Sequence, residues 1–179
     1  MTPGDDRPAV VHGQYGKRGG LMYPMWSRAN HLAVEQPLKH FSDGVRNGIY
    51  TPFCSLDWGV RNPTALLLFV EDKDENVHLV DEFYRPAKDP LDIKREYNKR
   101  FAVFNPLYVV ADPSIWHNHD SIDPSRSIAG QLADDDFVNG LAGLPLISGD
   151  NDVTNGLAAV RELLRVDPVK GAKLKVQPR

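Results

Sequence analysis

Three apolar runs open the regular part of the chain and predict β-strands over residues 50–57, 64–70 and 77–84. The charged stretch 71–76 lies between the second and third runs and is typical of a hairpin turn. Because strands joined by short turns pair in opposite directions, this part of the chain predicts a three-stranded antiparallel meander.

Helical and strand patterns alternate along the remainder of the chain. The pattern predicts helices over residues 90–101, 126–137 and 151–164, and strands over 107–111, 144–147 and 173–176. The order βββ-α-β-α-β-α-β predicts an α/β fold: a mixed sheet with an antiparallel three-stranded start, then parallel strands, and helices on both faces.

Capping residues and apolar spacing refine the predicted helices. Asp89 precedes Pro90 and is placed to cap the first helix, and Asp152 lies near the start of the last. The spacing predicts inward-facing side chains in the second and third helices at Ile128, Leu132, Phe137, Val153, Leu157, Val160, Leu163 and Leu164.

The N-terminal region has a different character. Residues 1–20 are rich in Gly, Pro and charge and show no period, so we expect a flexible arm or the remnant of a linker. Residues 21–34 contain aromatic and apolar side chains that we expect to pack on the domain, and 36–47 is polar and turn-rich. The folded domain is therefore predicted over residues 21–179.

Composition limits the classes of protein without choosing one. The 179 residues suffice for one well-buried domain, and the net charge of −3 argues against a generally basic, adhesive surface. The single cysteine, Cys54, excludes an internal disulfide and a cysteine-based zinc site, and its place in an apolar strand predicts burial. The sequence shows neither a basic segment followed by an apolar stretch at its start nor an apolar run of 18 residues, so we expect no signal peptide and no membrane span.

Two of the apolar runs end on a lone aspartate and then stop at once. Asp57 is followed by Trp58 and Gly59, and Asp112 is followed by Pro113. The order of elements resembles that of ribonuclease H-like folds, in which the fourth strand pairs in parallel with the first. In that arrangement the two carboxylates would converge from neighbouring strand ends.

Paired carboxylates at such a point are the ligands that Mg²⁺ or Mn²⁺ prefers. Two ions about 4 Å apart can clamp the attacking water and the leaving oxygen of a phosphodiester. Taken singly, each aspartate is more often a turn former or a helix cap. A third carboxylate is expected, and Glu82 is a candidate on the third strand, where Asp81 and Glu82 must face opposite sides.

Several segments together resemble the nuclease domain of the large terminase subunit of tailed double-stranded-DNA bacteriophages. The matching segments are Leu56-Asp57-Trp58-Gly59 with Asn62-Pro63-Thr64-Ala65, Val80-Asp81-Glu82-Phe83-Tyr84, Ala111-Asp112-Pro113-Ser114, and Asn151-Asp152-Val153. The resemblance covers roughly residues 20–179 and depends on the combination, since any one segment alone is weak.

The resemblance implies a divalent-metal-dependent endonuclease that cuts concatemeric viral DNA during genome packaging. It implies catalytic and metal-binding roles for Asp57 and Asp112, two Mg²⁺ or Mn²⁺ ions as cofactors, and duplex DNA as substrate. It also implies a packaging ATPase domain, a portal and a small terminase subunit as partners, in the cytoplasm of the infected bacterium rather than in a secreted or membrane-bound form.

Two features depart from the family pattern. The phosphate-binding loop of the packaging ATPase, G-x-x-x-x-G-K-[ST], does not occur in this sequence. The family's third acidic residue usually lies on a final helix after the last strand, so we expect that helix beyond Arg179 and weak activity in this chain alone.

Four residues are candidates for contact with DNA. Arg61 lies beside the first aspartate, His117 follows the second, and Lys173 and Lys175 belong to a basic tail. An exposed loop histidine usually does not contact DNA. The two lysines are about as often solvated surface residues as phosphate contacts.

Two alternatives remain open at this point. One is another ribonuclease H-like nuclease of the resolvase or exonuclease type, although an exonuclease would usually carry a D-x-E pair where Asp57 is followed by Trp58-Gly59. The other is a non-catalytic domain of the same fold that docks to DNA or to the motor.

Overall fold

A six-stranded mixed sheet forms the centre of the computed structural model, which describes residues 22–59, 62–86, 89–117 and 127–178. The sheet order is β5-β4-β1-β2-β3-β8, and β6 and β7 form a separate two-stranded sheet. The strands are β1 (Thr51–Asp57), β2 (Thr64–Glu71), β3 (Val77–Arg85), β4 (Val109–Ala111), β5 (Leu146–Ser148), β6 (Val166–Asp167), β7 (Gly171–Ala172) and β8 (Leu174–Val176).

Strand directions follow the predicted scheme. β1 and β3 both pair with β2 in antiparallel fashion, whereas β4 is parallel to β1, β5 to β4, and β8 to β3. In the six-stranded sheet β2 alone is therefore reversed. The order β3-β2-β1-β4-β5 with these directions is that of the ribonuclease H-like fold, and the predicted mixed α/β sheet with an antiparallel start and parallel later strands is confirmed.

The described helices are short, and most begin at a side-chain cap. They are α1 (Arg28–His31), α2 (Leu38–Arg46), α3 (Pro90–Glu96), α4 (Ile128–Ala133) and α5 (Val153–Leu163). The α3 helix continues through a π-helical turn, Tyr97–Phe101, into a 3-10 turn, Ala102–Phe104. The Asp89 and Asp152 carboxylates accept the N–H groups of Asp92 and Asn155, each at 3.0 Å, so both predicted caps are confirmed.

The main core lies between α2, α3, α4 and one face of the sheet. Alternate residues of the central strands are buried on this face, as the pleat requires, and Cys54 is fully buried as predicted. The largest fully buried side chains of this core are Phe41, Leu66, Leu68, Ile93, Phe101, Leu132 and Leu144. Residues on the other face of the central strands, such as Phe53 and Leu67, are only half-buried.

One helix occupies a segment that the sequence pattern indicated as polar and turn-rich. The α2 helix spans much of residues 36–47, buries Phe41, and packs its ring near Tyr50 at a centroid distance of 5.7 Å. Pro37 at its start provides no side-chain cap, and Ser42 and Gly44 are weak helix formers, so local signals pointed away from a helix. Burial of Phe41 in the tertiary structure outweighs them.

The helix predicted over residues 126–137 is shorter than expected, and the inward placement of Phe137 is wrong. The α4 helix ends at Ala133, Asp134 is extended, and Phe137 is 88% exposed. Three consecutive aspartates at the negative end of the helix dipole disfavour further turns. Leu132 is fully buried, and the prediction for that residue is confirmed.

The prediction of a buried apolar face on the last helix is also wrong in part. No residue of α5 is buried, Val153 is 71% exposed, and only Leu164, just beyond the helix, is buried. Since α5 has few neighbours to cover it, its apolar spacing does not produce a core contact. Among the described residues, none of the helices combines the length and apolar character needed to cross a bilayer.

Candidate functional site

The register between β1 and β4 brings the two predicted aspartates to the same level of the sheet. Cys54 pairs with Val109 and Leu56 with Ala111, so Asp57 and Asp112 are the next residues on two adjacent parallel strands. Neighbouring strands lie about 4.8 Å apart. The sequence prediction that these two carboxylates would meet at one end of the sheet agrees with this register.

Both aspartates continue the row of side chains that faces away from the main core. Leu56 and Ala111, which precede them, are buried on the helix-covered face. Because successive side chains of a strand alternate, the following residues point to the opposite face. Asp57 is exposed and Asp112 half-buried, so the pair is open to solvent and ions.

The Asp112 carboxylate is oriented by the turn that follows it. Asp112 caps a 3-10 turn, Pro113–Trp116, and its Oδ1 accepts the Ser114 N–H at 2.7 Å. Hydrogen bonds from the Ser114 side chain and backbone lower the pKa of Asp112, and nearby His117 adds a smaller effect in the same direction. The group is therefore ionised and held in place near neutral pH.

A buried threonine fixes the turn that follows Asp57. The Gly59 N–H donates to Thr64 Oγ1 and the Thr64 hydroxyl donates to the Gly59 carbonyl, both at 3.1 Å. Thr64 is fully buried, and a Cβ at Gly59 would lie 2.4 Å from the Asn62 carbonyl oxygen. The end of β1 is thus held by a turn that requires glycine.

Asp81 and Glu82 face opposite sides of β3, as predicted. Asp81 is buried and accepts hydrogen bonds from Arg100, one of them from Nε at 3.1 Å. Glu82 pairs with Leu67 and shares its row with Ser55, which places it on the face of Asp57 but two strands away. The Cα atoms of Asp57 and Glu82 are then roughly 12 Å apart.

No three His, Cys, Asp or Glu side chains come together as a metal cluster in the described parts of the chain. The register of β1 and β4 places two of the predicted ligands, Asp57 and Asp112, on adjacent strand ends. The register gives no support to Glu82 as the third, and that assignment stays a prediction.

The candidate DNA-contacting residues lie at different places. Arg61 falls outside the described residues, while His117 is exposed directly after the turn that Asp112 caps. Lys173 precedes β8 and Lys175 lies within it, beside the start of β3, at the end of the sheet opposite Asp57. Lys173 forms a salt bridge with Glu75 at 2.7 Å, and Lys175 donates to the Asn30 carbonyl at 2.6 Å.

Sequence reasoning missed the two supporting residues, Ser114 and Thr64. Asp followed by Pro at the start of a short helical turn is a capping signal, so the role of Ser114 was available from the pattern. No local signal pointed to Thr64, because its contact depends on how the turn folds back on β2.

No protein-family model and no curated protein sequence matches the chain. Several solved structures do match the chain. Two structures of the large terminase from the thermophilic bacteriophage D6E superimpose with TM-scores of 0.58 and 0.60, at 18% and 17% identity, over 88% of this chain. The chain spans about a third of their length, 33% and 34%.

The nuclease domain of the P22 large terminase is a further match, with a TM-score of 0.49 and 17% identity over 82% of this chain and 66% of that one. At such identities, the D6E likeness shows the fold. The chain has a ribonuclease H-like fold and is similar in structure to a bacteriophage large terminase.

Proposed function

We propose that the chain is the divalent-metal-dependent endonuclease domain of a viral DNA-packaging terminase large subunit. The observation that carries this proposal is the placement of Asp57 and Asp112 at the same level on adjacent parallel strands, on the open face of the sheet. The likeness to the D6E large terminase adds support at the level of the fold.

The carboxylates of Asp57 and Asp112 are suitable ligands for a hard divalent cation. Carboxylate oxygens suit Mg²⁺ and Mn²⁺, and Mg²⁺ is usually held by one or two carboxylates together with waters and substrate phosphates. Asp57 and Asp112 would hold the ions, and bound divalent cations would supply activation of water and stabilisation of the leaving oxygen.

The surrounding residues would serve that pair. Ser114 keeps the Asp112 carboxylate ionised and directed, and Thr64 fixes the turn beyond Asp57. His117 next to Asp112, and Arg61 in the loop after β1, would contact DNA phosphates. Lys173 and Lys175 would reach only DNA that extends to the far end of the sheet.

The proposed substrate is concatemeric double-stranded DNA, cut with little sequence preference. A packaging ATPase domain, a portal and a small terminase subunit would be the partners, in the cytoplasm of the infected host. These assignments rest on the likeness to the terminase and on the sequence resemblance.

A plasmid-nicking assay in Mn²⁺ tests the proposal. We expect the chain to nick supercoiled DNA and expect Asp57→Asn and Asp112→Asn to lose at least about 100-fold in rate, since each removes a charged metal ligand. Asp74→Asn makes the same change on an exposed turn at the other end of the sheet and should leave the rate unchanged. Nicking that survives the Asp57 and Asp112 changes would overturn the metal assignment.

One observation favours a second candidate, the non-catalytic docking domain. The described residues provide no third carboxylate beside the aspartate pair. Under this alternative the chain would bind duplex DNA in a salt-dependent way, and neither the chain nor its aspartate variants would cut it.

A further inference from the structure

One exposed aromatic side chain lies at the same level of the sheet as the two aspartates. Asp57 of β1 pairs with Ala65 of β2, and Ala65 pairs with Tyr84 of β3. Since Asp112 lies beside Asp57 on β4, the residues Asp112, Asp57, Ala65 and Tyr84 form a row across the sheet, which we call the end row. Two strand spacings of about 4.8 Å separate the Cα atoms of Asp57 and Tyr84, roughly 10 Å in all.

The Tyr84 side chain lies on the same face of the sheet as the two carboxylates. Phe83, the residue before it, is buried in the main core, so the pleat directs Tyr84 to the opposite, open face, where it is 63% exposed. Glu82 shares this face but lies one row further back. In the end row only the methyl group of Ala65 lies between the tyrosine and Asp57, so a bound molecule can contact both at once.

The sheet holds the end of β3 in place. The residue after Tyr84, Arg85, still pairs with Thr64 of β2, and the Arg85 guanidinium lies 5.2 Å from the centroid of the Phe83 ring. Thr64 is the same buried residue that fixes the turn after β1 through its two hydrogen bonds with Gly59. The position of Tyr84 relative to the aspartates is therefore set by strand pairing rather than by a loop.

A tyrosine at this position suits a DNA phosphate. Half to two-thirds of protein–DNA hydrogen bonds go to phosphate and sugar, and the tyrosine hydroxyl is one of the usual donors. A DNA strand advances about 3.4 Å per nucleotide. A strand that has its cleaved phosphate at Asp57 and Asp112 and follows the end row would thus pass Tyr84 within roughly three nucleotides. The exposed Arg85 adds a positive charge at the same strand end.

We propose that Tyr84 is a substrate-positioning residue whose hydroxyl donates a hydrogen bond to a phosphate that flanks the cleaved one on the same DNA strand. This inference rests on the proposed nuclease function and adds a direction to it: the strand crosses the sheet from the aspartates over β2 toward β3. Because the flanking phosphate does not react, the hydrogen bond is equally strong before and during the chemical step. It therefore tightens binding without changing the rate of that step.

Nicking kinetics with supercoiled plasmid in Mn²⁺ test this role. Tyr84→Phe keeps the ring and removes the hydroxyl, and the loss of a hydrogen bond to a charged group should raise KM about tenfold with kcat unchanged. Tyr50→Phe makes the same change just before β1, at the opposite end of the sheet, and should leave both constants unchanged. An unaltered KM in Tyr84→Phe, or a fall in kcat instead, would overturn the proposal.

Equilibrium binding separates this contact from the cutting reaction. Fluorescence anisotropy with a short labelled duplex, at several salt concentrations, would compare Asp57→Asn with the double variant that also carries Tyr84→Phe. The second substitution should weaken binding about tenfold and leave the salt dependence unchanged, because a neutral hydroxyl releases no counterion.

The two assays fail in different ways. If the unchanged chain binds the duplex without nicking plasmid, the proposed nuclease function fails, whereas a tenfold loss of binding on Tyr84→Phe still supports the phosphate contact. Equal affinity of the single and double variants would overturn the role of Tyr84 even if the unchanged chain nicks DNA.

Discussion

Asp81 and Glu82 are neighbours in sequence but lie in different environments. The pleat of β3 places Asp81 under the helices, where Arg100 pairs with it, and leaves Glu82 on the face of the candidate site. Sequence alternation predicts that the two must separate, but it does not say which one turns inward. In the structure Asp81 is the inward one, and its carboxylate is bonded by Arg100 of the π-helical turn.

His78 is the residue for which we predict a pH effect on stability. It lies among Phe41 and Tyr50, and its buried Nδ1 has no hydrogen-bond partner in the described part of the chain. Burial lowers the pKa of His78 below 6.5; Lys175 and His40 act in the same direction and Asp72 opposes them. Folding therefore disfavours the protonated form of His78.

The sign of the effect follows from proton linkage. The unfolded chain takes up a proton at this position as pH falls below about 6.5, while the folded chain resists it, so the free energy of unfolding decreases. Urea titrations at pH 7.5 and 5.0 should show a smaller acid-induced loss for His78→Phe than for the unchanged chain. His117→Gln alters an exposed histidine at the opposite end of the sheet and should retain the full loss. An identical loss in His78→Phe would contradict the assignment.

Residues whose surroundings follow from the strand pattern were predictable. Cys54 in the core and Asp57 and Asp112 at strand ends follow from alternation and element order, and the structure places them as expected. The exposure of Phe137 was not predictable from the sequence. Apolar character predicts burial only where a neighbouring element covers the side chain, and the α4 helix ends at Ala133.

At the scale of the elements, two glycines differ in whether the surrounding atoms leave room for a side chain. Gly59 in the turn after β1 has no room for a Cβ, whereas Gly156 in α5 has no atom within 4 Å of where a Cβ would lie. Gly59→Ala should therefore displace the turn that follows Asp57 and lower both stability and nicking activity.

Gly156→Ala is the matched control and should raise the stability of the chain rather than lower it. Alanine in a helix interior is favoured over glycine by about 0.5–1 kcal/mol, so we expect a higher melting temperature and unchanged nicking. Thermal unfolding monitored by circular dichroism checks both variants. Equal effects of the two substitutions would contradict the role given to the turn after β1.

Helix boundaries were less predictable than strands. The α2 helix has no capping side chain, and α3 passes into a π-helical turn in which Tyr97 and Phe101 are buried. The small strands β6 and β7 likewise have too few residues to leave a period. Each of these elements depends on tertiary contacts.

At the scale of the whole molecule, the order of elements carried the most information. Three apolar runs followed by alternating helices and strands predicted the mixed sheet, and the register then placed the two aspartates side by side. The likeness to the D6E large terminase, with a TM-score of 0.60, agrees with that architecture. The distance of Glu82 from the two aspartates, by contrast, was not predictable, because it depends on strand order and register together, and its role as a third ligand stays a prediction.

Crystals of the chain soaked in Mn²⁺, with data collected at the manganese absorption edge, would show whether Asp57 and Asp112 together bind a metal ion. We expect an anomalous peak within coordination distance of carboxylate oxygens from both residues, and the loss of that peak in Asp57→Asn crystals. Manganese bound elsewhere with none between these two carboxylates would contradict this expectation.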